Sequence, residues 1–343
     1  TALLTWVLKE GGLDPGYMIG GIPVNLGRGA CFTDSEFNVL EGDEYDTAFF
    51  DKRSKFLHYL PELAVINNIE FDHADIYGSI EEIKLTFRRL LNIVPRGGLA
   101  LVNGDDRNVM EVIEQCPCPI RTIGFGDGCE WKIENPIYKR EESSFSLAGE
   151  EYLIPMVGEF NVRNAAMAAA GGLFAGLGPD QIREAFLSFE GIARRQQLRG
   201  EVRGVRVIDD FAHHPTAIRM VIEAFRQRYP ESRIWAVFEP RSNTTRRNIF
   251  QKELAESLAT ADYAVVPAIA DPGKVAECER LDPEQLVRDV VSLGADAAYL
   301  PTVEEIAKHI AARARKDDVV AVLSNGGFGN LHELLLSMLD EVH

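Results

Sequence analysis

Four short apolar runs, three of them unbroken, in the second half of the chain constrain its fold more than any other feature. Residues 205–208, 234–238, 263–266 and 319–323 consist of Val, Ile, Leu, Ala, Trp, Tyr and Phe, with Arg206 the one interruption. Runs of four or five residues without polar alternation are strands covered on both faces, as in a parallel sheet. Helical patterns lie between them, over about 216–228, 248–259, 283–293 and 302–315. Strands alternating with helices predict an open, doubly wound α/β sheet. Each run leads into a polar or Gly-rich turn. These turns are Asp209-Asp210, Glu239-Pro-Arg241, Asp271-Pro-Gly-Lys274 after a short gap, and Ser324-Asn-Gly-Gly-Phe-Gly329. Sheets of this kind bind ligands at the carboxyl ends of their strands, so a site is expected there.

The first half also alternates. Strands are expected over 37–40, 63–69 and 98–102, and helices over 80–91, 161–177 and 179–187. Residues 129–157 read as β-hairpins around Gly149-Glu150. With 343 residues the chain is long enough for two domains of roughly 150 residues each, expected at 1–198 and 199–343. Leu3, Leu4, Val7 and Leu8 stand at helical spacing from the first residue, which is Thr, and the helix stops at Gly11-Gly12. A helix already under way at residue 1 is read as a sequence that continues upstream.

Composition removes several functions. With 36 Lys+Arg against 53 Asp+Glu the net charge is −17, which argues against binding nucleic acid or an anionic membrane surface non-specifically. A few placed groups still suffice to hold a phosphate. No apolar run approaches the ~20 residues of a membrane span, and the start lacks the basic region and cleavage site of a signal peptide. Five scattered cysteines suggest free thiols and a reducing cytoplasm. No Cys-x-x-Cys pair with a nearby His completes a zinc set. No G-x-x-x-x-G-K-[ST] loop occurs, and Gly124-Phe-Gly-Asp-Gly128 precedes hairpins rather than the helix a dinucleotide loop needs.

The polar residues at strand ends allow two readings each. Glu41 and His73 follow expected strands and suit a divalent ion bound to substrate phosphate; equally, one caps a turn and the other bonds to backbone. Asp209, Asp210, His213 and His214 form a cluster dense enough to orient a nucleotide and a second substrate, or they cap the helix entered at Pro215. Arg241, beside Ser242, Asn243 and Thr244, offers a fork for carboxylate or phosphate. Arg194 and Arg195 stand near the expected junction, either gripping a charged ligand or solvated. The Ser324–Gly329 turn, which enters a helix, has backbone N–H groups that suit an anion.

Taken in order, six segments resemble the Mur ligase family over nearly the whole chain. They are Glu41-Gly-Asp-Glu-Tyr-Asp46, Asn67-Asn-Ile-Glu-Phe-Asp-His-Ala-Asp75, Gly158-Glu-Phe-Asn-Val-Arg-Asn164, Arg194-Arg195, Asp209-Asp-Phe-Ala-His-His-Pro-Thr216 and Glu239-Pro-Arg-Ser-Asn-Thr244. The resemblance implies a central ATPase-type parallel-sheet domain followed by a C-terminal Rossmann-like domain. It implies ATP and Mg²⁺, with Glu41 and His73 as metal ligands, and Asn161 and Asn164 near the adenine. Arg194 or Arg195 would meet ATP phosphate, and Asp210 with Phe211 would hold ribose and adenine. His213, His214 and Arg241 would face the muramyl and acyl-phosphate region, with His73 also counted among the catalytic groups. Ser324, Asn325, Gly326 and Gly327 would lie near the incoming peptide.

The implied reaction has two steps. A muramyl carboxylate attacks the γ-phosphate of ATP, giving an acyl phosphate and ADP, and a peptide amine then displaces the phosphate. Phe49-Phe-Asp-Lys-Arg-Ser-Lys55, Glu239–Thr244 and Ser324–Gly329 favour one branch of the family. That branch joins UDP-N-acetylmuramate to L-alanyl-γ-D-glutamyl-meso-diaminopimelate in peptidoglycan recycling. The branch that adds L-alanine, or a non-catalytic binding module, are the alternatives. The family's P-loop and UDP-binding domain have no counterpart in the 343 residues, so the resemblance implies no turnover by this chain alone. Phe160 stands where the family usually has His, and Gln197 where it often has Glu. Leu85-Thr-Phe-Arg-Arg89 offers no lysine for carbamylation.

Overall fold

The computed structural model describes residues 1–114, 116–269 and 275–341, so the expected Asp271–Lys274 turn lies outside the described residues. Contacts divide the chain into Thr1–Ala193 and Arg194–His343. The junction falls before 198/199 for a physical reason. Residues 197–202 form a strand paired antiparallel with the first apolar run of the second unit, so the segment from Arg194 onward goes with that sheet.

The first unit begins with α1 (Ala2–Glu10) and three short strands, β1 (Gly16–Met18), β2 (Ala30–Cys31) and β3 (Asn38–Leu40). These strands form a small sheet in the order β2-β1-β3, with β1 and β3 parallel. A two-stranded hairpin follows, β4 (Asp46–Ala48) and β5 (Asp51–Ser54). Then come β6 (Leu63–Ile66), α2 (Ile80–Ile93), β7 (Leu99–Asn103), α3 (Arg107–Ile113) and β8 (Ile120–Gly124). Three further strands complete the sheet, β9 (Trp131–Tyr138), β10 (Ser143–Leu147) and β11 (Glu150–Ile154), before α4 (Glu159–Phe174) and α5 (Pro179–Leu187). The main sheet runs β11-β10-β9-β8-β7-β6, parallel from β6 to β9 and antiparallel beyond.

The pleat of β7 shows why both faces are apolar. Ala100 and Val102 point into one core with Ile83 and Leu91 of α2 and Val109 of α3. Leu101, between them, points into the opposite core with Ala165, Ala166 and Ala169 of α4 and Val7 of α1. The alanines let α4 approach the sheet and α1 closely. A cavity of about 550 Å³ is lined by β3, by β6, which like β3 is an edge strand of its sheet, and by α1 and α4.

The second unit runs β12 (Gln197–Val202), β13 (Val205–Asp210), α6 (Pro215–Arg228), β14 (Ile234–Phe238), α7 (Gln251–Leu258), β15 (Tyr263–Val266), α8 (Pro283–Ser292), β16 (Asp296–Tyr299), α9 (Val303–Arg313), β17 (Val319–Leu323) and α10 (Leu331–Glu341). Strand order is β12-β13-β17-β14-β15-β16, parallel except for β12. All five residues of β14 and of β17 are buried. Alternate ones, Trp235, Val237, Val320 and Val322, pack with Ile306 and Ile310 of α9 and Leu331 and Leu335 of α10. The other face meets α6. This is the doubly wound α/β sheet the apolar runs require.

Phe186 of α5 is fully buried, with its ring edge-on to Tyr152 at 5.7 Å. We expect Phe186→Ala to cost about 3–5 kcal/mol, read as a lowered denaturant midpoint for the first unit. A change under ~1 kcal/mol would contradict this packing.

Candidate active site

In the first unit the polar groups gather where β3, β6, β7 and β8 end. His73 has left-handed backbone, φ 54°, a strained conformation for a non-glycine residue, and Asp72 accepts a hydrogen bond from its N–H at 2.7 Å. Its Nε2 lies 2.9 Å from Glu44 Oε1, and its ring packs on Tyr45 at 4.0 Å. Burial pushes the imidazole down, but the bond to Glu44 and the charges of Glu44, Asp72 and Asp43 outweigh it and hold it above its ordinary value. Ligand atoms of Asp43, Glu44 and His73 lie within 4.8 Å of one another. Glu41, paired with His73 in the sequence reading, is not in that group. Its carboxylate instead lies over Gly20, where a Cβ would come within 2.6 Å of Oε1. The acidic run 41–46 carried the signal for Asp43 and Glu44, but spacing cannot say which of its carboxylates turns toward the imidazole.

Asn161 and Asn164 both line the cavity on α4. Asn161 donates to the Val157 carbonyl at 2.8 Å, and Asn164 Oδ1 accepts from Asn67 Nδ2 at 2.9 Å. Sequence spacing marks neither Asn67 nor Asp105 as a site residue; the structure adds both. The Asp105 carboxylate takes the N–H groups of Phe125 at 2.7 Å and Gly126 at 2.8 Å, and Arg163 Nη2 at 3.2 Å. The Gly124–Gly128 loop therefore closes on the protein's own carboxylate. Burial alone would raise this carboxyl, but the two backbone donors and Arg163 outweigh it and hold it low. Phe160, the departure from the family pattern, is half-buried on the first turn of α4.

In the second unit the carboxyl ends of β13, β14 and β17 interlock. Asp210 is buried and spends both oxygens on backbone, accepting from Ala212 N and Gln196 N, each at 2.8 Å. Burial raises its carboxyl despite those donors. Glu239 accepts from the Ser324 hydroxyl, and that hydroxyl accepts from Gly326 N at 2.9 Å. Ser324 is fully buried, so its side chain holds the turn rather than facing a ligand. Half-buried Asn325 and exposed Gly327 remain at the surface of the same turn. Arg241 Nη1 lies 3.5 Å from Glu239, and its side chain covers Gly326, where a Cβ would sit 2.2 Å from Nε. His213 Nδ1 lies 3.0 Å from the Phe211 carbonyl, and His214 caps α6 through Nδ1, which accepts from Thr216 N at 3.4 Å.

The two neighbouring arginines separate by environment. Arg194 is tied to Asp209 at 3.2 Å and to the Ser324 and Gly326 carbonyls at 2.7 and 2.6 Å. Arg195 is exposed, forms no ion pair among the described residues, and has its guanidinium 5.0 Å from the Phe211 ring. Only Arg195 presents its charge outward.

Comparison with known proteins decides what this arrangement belongs to. Residues 28–172 match the Mur ligase middle domain, and residues 194–326 match the Mur ligase glutamate ligase domain. The Escherichia coli (strain K12) UDP-N-acetylmuramate--L-alanyl-gamma-D-glutamyl-meso-2,6-diaminoheptandioate ligase is 39% identical over 98% of this chain and 72% of its own length. The chain belongs to the Mur ligase family. Members of that family are ATP-dependent ligases. A Geobacter sulfurreducens UDP-N-acetylmuramate--L-alanine ligase is 32% identical over 99% of the chain and 73% of its own length. A murein peptide ligase crystal structure from Psychrobacter arcticus superposes with a TM-score of 0.71, at 30% identity, covering 100% of this chain and 75% of that one. Among the described residues no helix of this Mur ligase is long and apolar enough to cross a membrane.

Because the Asp105 carboxyl is held low, its stabilisation is present above the unfolded value of about 3.9 and is lost as pH falls through the folded value. The melting temperatures of the native protein and Asp105→Asn are therefore expected to differ most near neutral pH and to converge below about pH 4. A gap that stays constant from pH 7 to pH 3 would contradict the assignment.

Proposed function

We propose that this Mur ligase joins UDP-N-acetylmuramate to the tripeptide L-alanyl-γ-D-glutamyl-meso-diaminopimelate, using ATP, in peptidoglycan recycling. The observation that carries the choice is the 39% identity to the tripeptide ligase, against 32% to the L-alanine ligase over the same span. In the first step a carboxylate oxygen bonds to the γ-phosphorus and ADP leaves. In the second, the amine nitrogen bonds to the acyl carbon, phosphate leaves and the amine loses its proton.

The chain's own residues bind and orient for both steps. Asn67, Asn161 and Asn164 place amide groups on the wall of the cavity, where they would meet the adenine. Arg195 is the phosphate contact, because Arg194 is spent on the protein. Phe211 presents a ring beside it, while Asp210 fixes the turn that carries both and leaves the ribose to other groups. Arg241, on the turn after β14, supplies positive charge for a developing acyl phosphate, with His213 and His214 on the turn after β13. Asn325 and Gly327 are the members of the 324–327 turn placed to meet the incoming peptide.

Two carboxylates and an imidazole within 4.8 Å, half-buried, fit Mg²⁺ once phosphate oxygens complete the shell. Asp43, Glu44 and His73 would hold it, with Glu41 at the end of the adjoining strand, and the ion would neutralise charge on transferring phosphate oxygens.

The test is phosphate release from ATP with UDP-N-acetylmuramate and either the tripeptide or L-alanine. It is run on the 343-residue chain and on the chain extended by whatever its gene encodes upstream. Release with the tripeptide alone is the expected result. Release with L-alanine alone assigns the other ligation, and no release from either form favours a non-catalytic binding module. In the active form, Arg195→Ala should raise KM for ATP about ten- to a hundredfold, the cost of a lost charge-assisted hydrogen bond. An unchanged KM would remove Arg195 from the phosphate site.

A further inference from the structure

Behind the 324–327 turn lies a buried imidazole with no part in the roles above. His332, on the first turn of α10, is 6% exposed, and its Nε2 stands 3.4 Å from Asp209 Oδ1. Both atoms are buried, and at 3.4 Å neither completes a hydrogen bond, with each other or with any other group. Asp209 is itself 3% exposed, and its second oxygen takes Arg194 Nε at 3.2 Å. Arg194 then spans to the Ser324 and Gly326 carbonyls at 2.7 and 2.6 Å. The connection closes on itself, because the clamped turn leads directly into the helix that carries His332.

A carboxylate this deeply buried is costly unless both oxygens meet donors. Arg194 serves one oxygen, and the other, which lacks a donor, has His332 Nε2 3.4 Å away. Burial would raise the Asp209 carboxyl, but the interaction with His332 and then the charge of Arg194 outweigh it and keep it low. Arg194 needs that fixed charge. Its own backbone has φ 61°, in the left-handed region, and Gln196 beside it has φ 48°. A strained segment of this kind persists only where its surroundings over-determine it.

We propose that His332 is a positioning residue: by donating from Nε2 to Asp209 it fixes Arg194, and through Arg194 it sets the 324–326 turn for the incoming amine substrate. The amine-substrate part rests on the ligase reading; the positioning part does not. No bond to His332 is made or broken in the reaction, so its removal should raise KM for the amine substrate and leave KM for ATP unchanged.

The first test needs no variant and no turnover. The ¹⁵N shifts of the His332 ring in the native protein should show the proton on Nε2; a neutral ring protonated at Nδ1 instead would overturn the proposal. The second compares His332→Phe, which keeps a ring without a donor, with His332→Gln, whose amide can donate to Asp209. The Arg194 Nε–H resonance and the Asn325 and Gly326 amide resonances should move or broaden in His332→Phe and return in His332→Gln. Spectra unchanged in His332→Phe would overturn the proposal. In ligation assays His332→Phe should raise KM for the tripeptide about tenfold, with kcat and KM for ATP kept within about twofold. An equal loss in all three would show a merely structural role. A native protein with no ligation under any condition would refute the ligase reading while leaving both NMR tests decisive for the positioning role.

Discussion

Strands sealed on both faces by helices can show polar side chains only at their ends, and the central parallel strands β7, β14 and β17 obey that constraint. In the second unit every residue of β14 and β17 is buried, and the first hydrogen-bonding side chains beyond them are Glu239 and Ser324. In the first unit β7 is apolar through Val102 and gives way to Asn103 and Asp105. Chemistry is thereby forced to the carboxyl edges, whatever the loops contain. The loops then determine which chemistry it is.

Much of the polar material at those edges holds backbone in place. Asp105, Asp210 and Glu239 each direct carboxylate oxygens to groups of their own chain. Burying a carboxylate costs heavily, and N–H and O–H donors offset that cost only when the turn is held in one shape. The outcome is a set of rigid turns that present a few groups for binding: the exposed Arg195 and Arg241, and the half-buried Asp43–Glu44–His73 cluster. The same division of labour explains why two adjacent arginines differ. Arg194, turned inward, is caught by Asp209 and two carbonyls, and Arg195, turned outward, keeps its charge for a ligand.

The sheet of the second unit was legible because a fully buried parallel strand is a short, unbroken apolar run, and nothing else in that half looks alike. Strands β12 and β16 were not, since β12 is an edge strand with mostly half-exposed residues and β16 (DAAY) has little apolar bulk. The two-, three- and four-residue strands β1, β2, β4 and β5 carry too few positions for any period to show. Strand 63–69 stops at Ile66, where Asn67 turns its side chain to Asn164. At the site, the positions of polar clusters were legible and their pairings were not. His73 bonds Glu44 rather than Glu41, and Ser324 serves Glu239 rather than a substrate. Such choices depend on side-chain direction at a strand end, which residue spacing does not encode.

Ligation at these edges through an acyl phosphate leaves an isotopic trace in the phosphate released. UDP-N-acetylmuramate labelled with ¹⁸O in its muramyl carboxylate is turned over with ATP and the tripeptide, and the released phosphate is analysed by mass. One ¹⁸O atom is expected in each phosphate released with amide product. Amide product with unlabelled phosphate would contradict it, because the carboxylate would then not have attacked the γ-phosphorus.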